Sequence, residues 1–124
     1  MIAALVILAG ALGSVARFFV DAEVKSRLSS RTSFPWATVG INISGSFLLG
    51  LLAGWVMLRA GSTDAQAVLG TGFCGGYTTF STSTVDTVRL LQQGRRVDAA
   101  VNAIGTLVAS VLACGGGLAL ASAL

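Results

Sequence analysis

The sequence predicts an all-α membrane protein of four transmembrane helices, the third of them broken. Three observations predict it. Of the 124 residues, 54% are hydrophobic and only 10% charged, with a mean hydropathy of +0.83, whereas an ordinary soluble domain carries about 25% charge. The charged residues leave four charge-free runs, 1–16, 32–58, 65–85 and 99–124, of 16, 27, 21 and 26 residues. A hydrocarbon core of about 30 Å needs roughly 20 apolar residues per helix, so the last three suffice as they stand. The first does so if it continues past Arg17 to Val20. Finally, the third run is crowded with glycine and hydroxyl residues, which make a poor helix interior.

Taken in order, the spans fall at about 2–20, 35–59, 65–91 and 99–123, one membrane domain over 1–124. No Lys or Arg precedes the first apolar stretch, so it reads as a retained helix rather than a cleaved leader. A charged loop is expected next, carrying Asp21, Glu23, Lys25, Arg27 and Arg31. Pro35, the only proline, suits the first turn of helix 2, where no N–H partner is needed. Trp36 and Trp55 stand 19 residues apart, about 28 Å at 1.5 Å per residue, which matches two interfacial indoles bracketing the membrane. A short connection, 60–64, leads to helix 3, and residues 92–98, with Arg95 and Arg96, form the last loop.

Four spans put both termini on one side. Arg59 is the only basic side chain there, against Lys25, Arg27, Arg31, Arg89, Arg95 and Arg96 opposite, with Arg17 at the edge. The positive-inside rule then makes the two charged loops cytoplasmic and places the termini outside.

Composition also removes classes of function. There is no histidine, hence no imidazole catalysis or histidine metal site. Cys74 and Cys114 lie 40 residues apart in apolar runs, without metal-ligand spacing, and read as buried, reduced thiols. The net charge of +3 comes from loops between spans, so a nucleic-acid partner is not expected. Nor is a nucleophile–base pair or phosphate loop visible; an enzyme is not expected.

Polar residues inside the spans carry the rest. Thr38, Asn42 and Ser46 are four apart, on one face of helix 2. With the tryptophans at the interfaces, Asn42 lies about 5 Å from the midplane and Ser46 nearly at it. Helix 4 repeats the pattern with Asn102, Thr106 and Ser110. Such ladders serve either as helix–helix glue or as the wall of a water-filled path. In helix 3, residues 70–84 hold four glycines and then six hydroxyl residues among eight. A broken helix at membrane depth is tolerated where protein or an aqueous cavity covers the freed backbone, and its exposed carbonyls and half-helix ends bind ions. A kinked packing helix, with Gly75-Gly76 admitting a neighbour, is the plainer alternative. Arg17 either snorkels to the interface or draws anions into a wet vestibule.

Gly13-Ser14-Val15-Ala16-Arg17, Asn42-Ile43-Ser44-Gly45-Ser46-Phe47-Leu48-Leu49-Gly50 and Gly72-Phe73-Cys74-Gly75-Gly76-Tyr77-Thr78-Thr79-Phe80-Ser81-Thr82 together resemble the signatures of the Fluc (CrcB) fluoride channels, over essentially the whole chain. The resemblance implies an antiparallel dual-topology dimer in the bacterial inner membrane, with two pores exporting fluoride passively and limiting its toxicity. It implies a structural sodium ion held by the backbone carbonyls of Gly75 and Thr78 of both subunits. It implies a fluoride route lined by Asn42, the edge of Phe80 and hydroxyls including Thr38, Thr82, Thr106 and Ser110, with Arg17 in the vestibule. Neutral donors and a ring edge suit a small hydrated anion that has to be released again.

Two positions depart from the family pattern. A second phenylalanine is expected three residues after Phe80, where this chain has Ser83, and Asn102 stands where some relatives have tyrosine. Each pore of the family combines the first ring of one subunit with the second of the other, so a homodimer of this chain lacks one ring in both pores. Balanced insertion in two orientations also needs balanced basic loops, and six or seven against one is not balanced. These features together predict a heterodimer with a separately encoded, oppositely biased subunit, a homodimer being the alternative. Two rival readings remain: a small multidrug-resistance-type proton-coupled exporter and a non-conducting structural subunit. The exporter requires an embedded carboxylate. Helix 1 has none, and Asp86 is expected at the interface or paired with Arg89.

Overall fold

In the computed structural model, residues 1–28, 30–59 and 61–124 are described. The chain is helical almost throughout, with no strand among the described residues. Helix α1 covers Ile2–Leu28 and α2 covers Trp36–Leu58. Residues 63–77 form α3, Ser81–Gln92 form α4, and Arg96–Ala123 form α5. Helices α1, α2 and α5 are each long and apolar enough to cross a membrane. The third crossing is shared between α3 and α4, as the glycine- and hydroxyl-rich run predicts.

Helix α1 outruns the expected boundary. The segment from Asp21, expected as a loop, stays helical to Leu28. Two pairs at the i,i+4 spacing hold it, Asp21–Lys25 at 3.0 Å and Glu23–Arg27 at 2.6 Å. The acid precedes the base in both, the favourable order, and no glycine or proline interrupts. Hydropathy marks where the apolar stretch ends, and here the helix continues past that point.

Small residues let backbones touch. A Cβ on Gly76 would fall onto the Gly10 carbonyl, and one on Gly13 onto that of Phe73, so α1 and α3 meet with no side chains between them. Gly50 against the Cys114 carbonyl and Gly117 against that of Phe47 bring α2 and α5 together in the same way. Close approach of this kind is how helices associate where lipid removes the hydrophobic drive. Between α4 and α5, Gly94 takes φ +77°; Arg95 N–H bonds the Leu90 carbonyl and Gly94 N–H that of Leu91, the paired closure of a helix ending on a left-handed glycine.

Two stretches are wound more widely, with i→i+5 bonding: Gln66–Cys74 in α3 and Val101–Gly105 in α5. Such turns are rare and concentrate at functional sites. Here the first leads into the interruption of the third span, and the second carries Asn102.

A pore-lining groove at the broken third span

Helix α3 ends at Tyr77, and Thr78 is extended, with φ −79° and ψ 160°. Continuing the helix would place the Thr79 N–H on the Gly75 carbonyl. Asn42 of α2 takes it instead: Thr79 N–H donates to Asn42 Oδ1 at 2.8 Å, and Asn42 Nδ2 donates to the Thr79 carbonyl at 2.8 Å. A side-chain amide thus pairs with both backbone groups of one residue and replaces the bonds the helix gives up. Adjacent β-branched threonines after two glycines lower the cost of stopping there. Gly45, whose Cβ would strike the Thr78 side chain, lets α2 come this close.

The interruption frees the carbonyls of residues 75–79 from helical partners, and each freed group in a membrane needs another. Ser14 Oγ donates to Gly76 O at 3.3 Å and Arg17 Nη1 to Thr78 O at 3.4 Å. Asn42 serves Thr79 O. Among the described residues no donor reaches the carbonyls of Gly75 and Tyr77. On the far side, the Thr79 hydroxyl accepts from Thr82 N–H at 3.2 Å, which caps the start of α4.

A groove of about 780 Å³ opens along this break. Its wall gathers Asn42, Ser46, Gly75, Thr78, Phe80, Ser83, Thr106 and Ser110, among others, and contains no charged side chain. Phe80 is 85% exposed, its ring standing off the single chain. Ser110 Oγ is buried without a partner. Two rungs of each ladder read from the sequence, Asn42 and Ser46 with Thr106 and Ser110, therefore converge on one groove, with the broken span between them.

Four expected site residues lie elsewhere. Thr38 is buried off the groove, and its hydroxyl donates to Asp86 Oδ2 at 3.0 Å. Asp86 therefore faces α2, and no ion pair with Arg89 forms: one helical turn of spacing permits that pair, but the Asp86 carboxylate is turned toward the Thr38 hydroxyl of the packed neighbour. Thr82 is exposed beside Phe80, off the groove wall. Asn102 is wholly buried and bonds to Ser83 O and Thr87 Oγ1, so it stands behind the wall. Arg17 reaches the break itself rather than an open mouth. Sequence reading missed Ser14 as a partner of the break, Ser44, whose hydroxyl meets Tyr77 OH at 3.0 Å, and Thr87. Thr87 was detectable as the residue four after Ser83, on its face of α4.

Residues 4–118 match the family described as CrcB-like protein, Camphor Resistance (CrcB). The chain belongs to the CrcB family. It is 48% identical over 119 residues to the fluoride-specific ion channel FluC 2 of Cutibacterium acnes, covering 94% of each chain. It is 42% identical over 113 residues to FluC 1 of Leifsonia xyli (91% of this chain, 81% of the relative). A fluoride-specific ion channel FluC of Nitrobacter winogradskyi is 45% identical over 103 residues, covering 82% and 80%. The CrcB chain described here is thus a multi-pass membrane protein of an ion-channel family, and not an enzyme.

Proposed function

We propose that the chain forms a fluoride-selective channel, which lets fluoride leave the cell down its gradient and so limits fluoride toxicity. The observation that carries this is the uncharged groove at the interrupted span, walled by Asn42, Phe80, Ser83, Thr106 and Ser110. The relatives named fluoride-specific ion channels support the choice of ion.

Conduction of a strongly hydrated anion requires donors that replace its water without holding it. Asn42 uses one amide hydrogen on Thr79 O, and the NH₂ group has a second to offer. Hydroxyls rotate to donate, and the edge of Phe80 carries the positive part of the ring quadrupole. The absence of a carboxylate from the groove wall argues against proton-coupled export: Asp86 sits outside it, bonded to Thr38.

The assembly we propose is an antiparallel dimer in the bacterial inner membrane, with the termini of this chain outside. The exposed Phe80 and the open groove are where a second subunit would close the route, and Thr82, exposed at the start of α4, would join it only once that subunit is in place. The basic bias and Ser83 favour an oppositely inserted homologue as that partner over a second copy.

A structural sodium ion at the crossing of the two breaks fits the donor set in kind. Hard cations take oxygen ligands, and Gly75 offers an unclaimed carbonyl at a point where a Cβ would meet nothing within 4 Å. Thr78 O is shared with Arg17, whose charge opposes a cation there. The ion would supply fixed positive charge bracing one break against the other.

Reconstitution tests the function. Liposomes loaded with fluoride should release it through this chain together with an oppositely biased homologue, and weakly or not at all through this chain alone. No release in either preparation rejects the channel reading, and full release from the chain alone rejects the heterodimer.

A further inference from the structure

Asn102 is the most deeply buried polar side chain described, with no exposed surface, and it lies in the widened turn Val101–Gly105 of α5. Its Nδ2 donates to Thr87 Oγ1 at 2.8 Å and to the Ser83 carbonyl at 3.3 Å. Thr87 Oγ1 in turn donates to the same Ser83 carbonyl at 2.9 Å. The three groups close a triangle that ties the first two turns of α4 to α5. Ser83 and Thr87 line the groove; Asn102 does not.

Packing alone does not account for an amide here. Asn102 Oδ1 is buried without any donor, and such an orphan costs stability that a leucine of similar size would not incur. What the amide supplies is placement. The half-span α4 begins at an interruption, so no continuous helix fixes its rotation, and a hydrogen bond across to α5 does.

We propose that Asn102 is a positioning residue of the conduction path, setting where Ser83 and Thr87 stand along the groove without touching the ion. This rests on the channel reading above, and the test separates the two. Four variants are compared with the wild type: Asn102→Leu, Thr87→Val, their double variant, and Thr87→Ser. Each is reconstituted with the oppositely biased homologue for fluoride efflux, and each is followed by amide hydrogen exchange across Ser81–Gln92.

Asn102→Leu and Thr87→Val should each lower fluoride flux by about two- to tenfold, the worth of one neutral hydrogen bond. The double variant should lose less than the two singles combined, because both remove the Asn102–Thr87 bond. Thr87→Ser, which keeps the hydroxyl, should restore wild-type flux, and the melting temperature of Asn102→Leu should hold or rise as the orphan oxygen goes. Exchange at residues 83–87 should quicken in both single variants. Undiminished flux in Asn102→Leu, additive losses in the double, or no rescue by Thr87→Ser overturns the proposal. Should the wild type conduct nothing, the channel reading falls, and unchanged exchange at 83–87 would then refute the hold on α4 as well.

Discussion

Replacing Asn42 by alanine separates a residue that lines the groove from one that builds it. In the structure Asn42 makes two 2.8 Å bonds to the backbone of Thr79, one in each direction. Alanine strands one N–H and one C=O at membrane depth. An unpaired group costs about 1–3 kcal/mol, and because Asn42 is only half-buried some water reaches the site, so about 2–4 kcal/mol for the pair is a reasonable sum. At 1.36 kcal/mol per factor of ten, the interrupted conformation loses about thirtyfold to a thousandfold in relative population. The alternative is at hand: the Thr79 N–H returns to the unclaimed Gly75 carbonyl, and the helix heals. Fluoride efflux from liposomes should therefore fall, by up to about thirtyfold to a thousandfold, with amide exchange at Thr79 slowing as the helical bond forms, while dimer assembly stays largely intact. Wild-type efflux with unchanged exchange at Thr79 would mean that Asn42 does not hold the break open.

Other perturbations test separate parts of the account. Phe80→Ile keeps apolar bulk but removes the ring edge, and should depress fluoride flux in the same assay with assembly largely intact. Gly76→Ala drives a Cβ onto the Gly10 carbonyl and should destabilise the α1–α3 contact by about 3 kcal/mol or more, read as loss of folded protein on gel filtration. Gly94→Ala meets no neighbour but must hold φ +77°, so it should cost about 1 kcal/mol, seen as a small drop in melting temperature. Adding lysines at Ser62 and Thr63, on the sparsely charged side, should let tags report both orientations where the natural chain reports one.

The four crossings and the place of the break were legible because each has a one-dimensional signal. Charge-free runs mark spans, and glycine and hydroxyl residues in an apolar stretch mark a helix that stops. The gathering of Asn42, Thr106 and Ser110 was legible too, through spacing of four. What the sequence hid is pairing. Nothing in the spacing of Asn42 says that its amide is occupied by Thr79, and nothing at Asn102 says that it turns toward Thr87 rather than the groove. Thr38 reads as one more rung of its ladder until α4 places Asp86 against it. Helix α1 hid its length for a different reason: the ion pairs that carry it to Leu28 are the same charges that signal the end of the membrane.

Conduction by this route requires a third span that is interrupted in mid-membrane at residues 78–80 and open to water there. The most direct measurement is thiol accessibility: with Cys74 and Cys114 replaced by alanine, Phe80→Cys in sealed vesicles is exposed to a membrane-impermeant thiol reagent. An open break gives prompt labelling, slowed by fluoride, at a position within the bilayer's depth. A thiol there that stays unmodified until detergent is added would mean an unbroken, lipid-sealed helix.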